Sequence, residues 1–279
     1  MQQAITARWG DLGVRALSAA ILIPAVIVDV WAGGIWFSLL AALVGVFMAL
    51  EWTTMAHRQD PLQFALHAAA ALCGAFLPLN AGIGTAAVAI GMLWMISAAA
   101  SWLQDREGAV WRYLGVPYVA VPAIALVLLR NDPVYGILAI LWVLVIVWAA
   151  DTLAYFVGRL LGGPKLAPII SPKKTWAGLG GAIGGGAFAS AIFAIATGLN
   201  AVTALSVLAG FLAVIGQVGD LFKSALKRHY GVKDSGRLIP GHGGIIDRVD
   251  GLVVVATVAA IIGLARSGIT ATGAGLLLW

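Results

Sequence analysis

Four aspartates stand in a very apolar chain where carboxylates are costly, and three of them lie among lysines and arginines. Asp220 ends an apolar run in GQVGDLFKSALKRHYG, and Asp247 and Asp250 follow in GGIIDRVDG. Read as a continuing helix, Asp220, Ser224 and Lys227 fall at i, i+4 and i+7 on one face, with Lys223 and Arg228 beside that stripe. Asp247 and Asp250 are spaced i, i+3, so a helix lets their carboxylates converge on one ion. Hard divalent ions such as Mg2+ take carboxylate oxygens, keep several waters and are completed by substrate phosphates. Acids interleaved with cations therefore suit a metal-assisted reaction at phosphate. Two plainer readings stand beside this one: a basic juxtamembrane helix touching anionic lipid heads, and a salt-bridge network that only holds the structure.

The fourth acid, Asp151, lies in LVIVWAADTLAYFVGR, about eight residues and hence roughly 12 Å of helix before Arg159. A mid-span carboxylate costs a few kcal/mol and so calls for a reason. Lining a polar cavity is the expected one; pairing between helices is the alternative. Glu51 and Asp29 sit nearer span ends and read as structural. PGHGG (Pro240 to Gly244) puts glycines where the backbone must approach a ligand closely, and its amides can cradle phosphate oxygens. His242 by spacing alone is not a ligand. ISPKKTWAG places Lys173 and Lys174 just ahead of a helix start, a suitable anion site, although paired lysines at a membrane face also act as plain topology determinants.

The elements that must hold these residues are membrane spans. Of 279 residues, 61% are hydrophobic and only 10% charged, against about 25% charged in a soluble domain, and mean hydropathy is +0.98. Apolar runs near the length needed to cross a bilayer recur throughout. Breaking them at Gly, Pro, Asn and charge clusters gives about nine spans, at 13–32, 34–56, 61–79, 81–103, 113–130, 134–158, 177–199, 201–219 and 251–269. The expected fold class is therefore all-α: a polytopic membrane protein with a cytosolic N-terminus and an outside C-terminus. With that orientation, 15 of the 17 basic residues fall on the cytosolic side, and only Arg130 and Arg266 do not. The first run leads on without a clear cleavage site and reads as a span rather than a signal peptide. Cys73 is the sole cysteine, so no internal disulfide forms. One integral membrane domain covers 1–279: N-terminal helices over about 1–130, then catalytic helices and loops over about 131–279. The cytosolic connections at about 159–176 and 220–250 are the longest and the expected seat of function.

The 27 residues SALKRHYGVKDSGRLIPGHGGIIDRVD, Ser224 to Asp250, resemble the signature of the phosphatidate cytidylyltransferases, or CDP-diacylglycerol synthases. The fixed positions of that pattern are filled by Ser224, Lys227, Arg228, Lys233, Asp234, Gly236, His242, Gly243, Gly244, Asp247, Arg248 and Asp250. The likeness extends to DTLAYFVGRLLG, SPKKTW and GDLFKSALKR, roughly the C-terminal half. One departure is Ala177, where the family pattern commonly has Glu, so no carboxylate role is expected there. The resemblance implies that CTP and phosphatidic acid give CDP-diacylglycerol and pyrophosphate, with Mg2+ and a second, monovalent cation such as K+. It carries metal binding onto Asp220 and Asp247, with Asp250 and Asp151 as neighbours. Lys227, Arg228, Lys233 and Arg248 are then expected at phosphates. Ser171, Lys173, Lys174, Thr175, Ser224, Asp234, His242, Gly243 and Gly244 complete the expected substrate site. The partners implied are CTP, phosphatidic acid and the bilayer of the inner membrane, with the site facing the cytosol. A homodimer is compatible with the resemblance, and no nucleic acid is expected.

The chemistry suits the residues. A phosphomonoester has a second pKa near 6, so the lipid phosphate is already a nucleophile at neutral pH and needs no strong base. The obstacle is repulsion between two anions, which metal and cations reduce. A transporter should show internal repeats and interrupted spans, and none is evident. A CTP-dependent polyprenol kinase needs a base for its alcohol, and the aspartate-rich helix pair of a CDP-alcohol phosphotransferase is absent. The expected site is a polar cavity between spans 6, 8 and 9, open to the lipid.

Overall fold

The computed structural model describes residues 20–21, 23–104, 109–236, 238 and 243–279. Its helices are α1 (Ile23–Ala32), α2 (Gly34–Ala56), α3 (Pro61–Asn80), α4 (Ile83–Gln104), α5 (Ala109–Tyr113) and α6 (Gly115–Arg130). After these come α7 (Gly136–Leu161), α8 (Trp176–Thr197), α9 (Val202–His229), α10 (Ile246–Ser267) and α11 (Thr272–Leu277). Among the described residues, eight helices are long and apolar enough to cross a membrane, counting Val110–Arg130 as one. They match eight of the nine expected spans. The first expected span is represented by α1, its earlier part lying outside the described residues. A polytopic all-α architecture follows.

One element departs from all-α. Lys165–Ala167 (β1) and Ser171–Thr175 (β2) pair antiparallel in a two-stranded hairpin between α7 and α8. So the SPKKT stretch is extended rather than a plain loop. Pro172 biases Ser171 toward extended backbone, and Thr175 ends the strand by capping α8, its Oγ1 accepting the Gly178 N–H at 3.0 Å.

Small residues decide how α8 meets α7. A Cβ on Gly181 would stand 2.7 Å from the Leu153 carbonyl oxygen, and one on Gly185 would stand 2.7 Å from Leu153 Cδ1. Within lipid, such close backbone approach is a main source of helix association. The outer surfaces carry Trp94, Met95, Phe188, Ile195 and Val207, all exposed, as lipid-facing helices require.

The two arginines that the charge count leaves off the cytosolic side close helix ends. Arg130 donates to the carbonyls of Val30 at 2.5 Å and Trp31 at 3.1 Å. Arg266 donates to Gly275 and Leu278 and lies over the Trp279 ring at 3.9 Å. Each satisfies carbonyls that a helix C-terminus leaves orphaned, so their position reflects capping rather than topology.

At the opposite end of the bundle, α9 continues beyond the expected 219 to His229, and α10 begins at Ile246, before the expected 251. Both extensions are helical and carry the motif acids, which places Asp220, Asp247 and Asp250 on rigid elements.

Candidate functional site

The C-terminal end of α7, the hairpin, the start of α8, the end of α9 and the start of α10 enclose a cavity of about 650 Å³, a size typical of small-molecule sites. Spans 6, 8 and 9 are its expected walls; the hairpin and the start of α8 are additions. All four aspartates line it, along with Lys174, Lys223 and Gln217.

These groups form one continuous polar chain. Gln217 Nε2 donates to Asp151 Oδ1 at 3.3 Å, and Lys174 Nζ donates to Gln217 Oε1 at 2.8 Å. Lys174 also pairs with Asp220 Oδ2 at 2.7 Å. On the other side of Asp220, Lys223 Nζ lies 3.0 Å from Oδ1, 3.5 Å from Asp247 Oδ1, and in direct contact with Asp250 Oδ2. Lys227 closes the chain on Asp247 Oδ1 at 2.5 Å. Acids in a bilayer persist by pairing or by lining a wet cavity, and these do both. A salt-bridge network is therefore present, and it forms the floor of a cavity.

The inward stripe of α9 reads Asp220, Lys223 and Lys227, at i, i+3 and i+7. Lys223 is the centre of the network rather than a neighbour to it, while Ser224 is part-buried and off the cavity lining. Asp247 and Asp250 converge on one cation as their spacing implies, but that cation is Lys223.

The mouth is positive. Lys165, Lys173 and Arg159 line it and are exposed, and Arg159 donates to the Tyr155 hydroxyl at 2.7 Å. Thr175 lines the cavity while capping α8; Ser171 opens β2 away from the lining. Arg228, Lys233, Asp234 and Arg248 are exposed and do not line this cavity. His242 lies outside the described residues. Gly243 takes φ +83°, a left-handed conformation that suits glycine.

Glu51, read as structural from sequence, holds the motif loop. Its Oε1 accepts the Ile245 N–H at 2.7 Å; its Oε2 accepts the Ile246 N–H at 2.9 Å and the Ser235 hydroxyl at 2.8 Å. It thus caps α10 from α2, nearly two hundred residues away. Ser235 passes this order on: its N–H donates to Asp247 Oδ2 at 2.9 Å. Gly244 packs so tightly here that a Cβ would stand 2.0 Å from Ser235 Oγ and 2.6 Å from Glu51 Oε2. Gln217, Lys223, Ser235 and Glu51 are the site residues that spacing did not single out. A buried acid in an apolar run was the available signal for Glu51, and the i, i+3 interval from Asp220 was the signal for Lys223.

The donor set is one for a hard cation. Among the described residues, no three His, Cys, Asp or Glu side chains form a cage for a metal ion. The arrangement therefore suits an ion held by one or two carboxylates and completed by phosphate oxygens and water. Asp220 fits best, since 32% of its side chain remains open despite two lysine partners.

Residues 13–265 match the sequence model of the Cytidylyltransferase family. The chain belongs to that family. The chain is 39% identical over 259 residues to the phosphatidate cytidylyltransferase of Brucella abortus biovar 1 (strain 9-941), covering 91% of this chain and 93% of the relative. It is 47% identical over 128 residues to that of Bacillus subtilis (strain 168), covering 46% and 48% of the two chains. A similar protein from Rickettsia bellii (strain RML369-C) is 37% identical over 180 residues, 61% of this chain and 74% of the relative. The family match reaches well into the N-terminal half, beyond the C-terminal likeness seen in the motifs. In this chain Glu51 ties that half to the site, since it holds the motif loop from α2.

Proposed function

We propose that this chain transfers the cytidylyl group of CTP to phosphatidic acid, giving CDP-diacylglycerol and pyrophosphate for phospholipid synthesis. The observation that carries the reading is the aspartate–lysine network on the floor of a positively rimmed cavity, in a chain that shares 39% identity with a phosphatidate cytidylyltransferase across 91% of its length.

The lipid phosphate is already ionised near neutral pH, so the residues have to bring two anions together rather than remove a proton. Lys165, Lys173 and Arg159 take the first phosphate contacts at the mouth, while Arg228, Lys233 and Arg248 stand exposed outside this lining. Lys174 and Lys227 fix the Asp220 and Asp247 carboxylates in orientation, and Ser235 does the same from the loop. When bound at Asp220 and Asp247, Mg2+ supplies charge neutralisation at the triphosphate and the leaving pyrophosphate. Glu51 holds the turn that carries Gly243 and Gly244 through the neighbouring Ile245 and Ile246 amides, and in this reading the glycine amides donate to phosphate oxygens.

The reading includes a topology: nine spans, N-terminus in the cytosol, C-terminus outside, in the inner membrane, with the cavity open to cytosol and lipid alike. CTP is water-borne and the acyl chains stay in the bilayer, which requires both openings. In a Cys73→Ala background, an impermeant thiol reagent should label Lys165→Cys in inside-out vesicles and spare it in right-side-out ones.

Turnover by the purified protein tests the chemistry. It receives labelled CTP and Mg2+ with phosphatidic acid, diacylglycerol or a polyprenol. A CDP-lipid and pyrophosphate with phosphatidic acid alone are expected. CDP and a phosphorylated lipid alcohol would refute the reading in favour of a kinase.

A further inference from the structure

We propose that Lys223 is a resident cation of the site, its ammonium standing where a bound monovalent ion would otherwise join Asp220, Asp247 and Asp250. The inference rests on the reading of this cavity as a phosphate-transfer site.

Three carboxylates from two helices aim at one point, and that point is occupied. Lys223 Nζ is 3.0 Å from Asp220 Oδ1, 3.5 Å from Asp247 Oδ1 and in contact with Asp250 Oδ2. A lysine ammonium is a compact charge with three donors, and here each donor has an acid to face. Lys223 is 8% exposed and Asp250 9%, so water screens that pair poorly, while Asp220 keeps an open side toward the cavity. Without a cation between them, three close carboxylates would repel one another. Helices α9 and α10 are locked together at this level, because a Cβ on Gly219 would stand 2.8 Å from the Asp250 carbonyl oxygen. The carboxylates therefore cannot relieve repulsion by moving apart cheaply.

Two consequences follow. The protein needs no added monovalent cation to gather its acids. A divalent ion is confined to the open side of Asp220 and Asp247, and it binds against the charge of Lys223.

The test uses wild type, Lys223→Gln and Lys223→Arg, purified in detergent with tetramethylammonium as the only background cation. Mn2+ binding is followed by electron paramagnetic resonance without nucleotide or lipid, so the readout is independent of turnover. Loss of a full charge a few ångströms away is expected to tighten Mn2+ binding by about tenfold or more in Lys223→Gln, and much less in Lys223→Arg. In the Mg2+-dependent reaction, K+ should change wild-type turnover by less than about twofold, whereas it should restore a Lys223→Gln enzyme slowed by about tenfold or more.

A wild type that depends on K+ overturns the proposal, and this arm holds even where the variants misfold. A folded Lys223→Gln protein with unchanged Mn2+ affinity and no response to K+ overturns it as well. Wild-type inactivity toward phosphatidic acid would instead remove the functional reading, leaving the Mn2+ isotherms to stand.

Discussion

Replacing Glu51 should disable the site from the far side of the chain. Its carboxylate accepts three hydrogen bonds, from the amides of Ile245 and Ile246 and from Ser235 Oγ, and the residue is 2% exposed. In Glu51→Gln, one oxygen becomes an NH2 group, which cannot accept. The cheapest orientation turns that NH2 toward Ile245 and loses one bond; the other loses two. A buried donor left without its acceptor costs about 1–3 kcal/mol, toward the upper end where the acceptor was charged. The expected loss for Glu51→Gln is thus about 2–3 kcal/mol, and Glu51→Ala, which strands all three donors, should lose about twice that. The disturbance falls on the turn that carries Gly243 and Gly244 and on the first turn of α10, which carries Asp247. kcat/KM for CTP should therefore drop by about tenfold or more, with a lower unfolding midpoint in detergent. Glu51→Asp, which keeps the charge at a shorter reach, should retain more activity than Glu51→Gln. Wild-type kcat/KM and thermal stability in Glu51→Gln would refute this account of the loop.

Further outcomes follow from the same geometry. Asp220→Asn and Asp247→Asn should lower turnover by about a hundredfold or more while expression and folding persist, because each removes a carboxylate that would hold the divalent ion against the developing phosphate charge; unchanged turnover in either would reject its metal role. Gly244→Ala should abolish most activity, since its Cβ would lie 2.0 Å from Ser235 Oγ; steady-state kinetics of the folded variant checks this. Gly181→Ala should destabilise the α7–α8 contact by about 1–3 kcal/mol through overpacking, whereas Gly180→Ala, with nothing within 4 Å of its Cβ, should be tolerated; paired thermal melts decide. His57, between α2 and α3, has its imidazole pushed down to about 4 by burial, with His67 and Arg112 adding to the effect. The unfolded chain then binds the extra proton near pH 6.5, so stability held above that value is lost as pH falls toward 4, by an amount on the order of 3 kcal/mol. His57→Gln should flatten the melting curve across that window, and an unchanged pH profile would exclude His57 as the cause.

What the sequence determined by itself is what local chemistry enforces. Apolar runs of membrane length, interrupted by Gly, Pro and charge, produce eight spanning helices at the expected places, with α9 running past its expected end to His229, because a bilayer allows few alternatives to helix. The i, i+3 spacing of Asp247 and Asp250 and the helical continuation past Asp220 were legible for the same reason. The motif residues, read as a resemblance, pointed to the family that the match over residues 13–265 establishes.

Tertiary structure decided which groups meet. Nothing in the spacing of Lys223 says that it will stand among three acids, since that depends on how α9 and α10 are rotated and on the close approach at Gly219. Nor does spacing join Glu51 to Ile245, or Gln217 to both Asp151 and Lys174, contacts that span tens to nearly two hundred residues. The hairpin at 165–175 was hidden because a two-stranded sheet so short has little pattern of its own. Its pairing, and its place at the mouth of the cavity, come from the helices that flank it. Residue type and period are properties of a segment; convergence of charges is a property of the packed bundle, where desolvation and close backbone contact select the partner of each buried group.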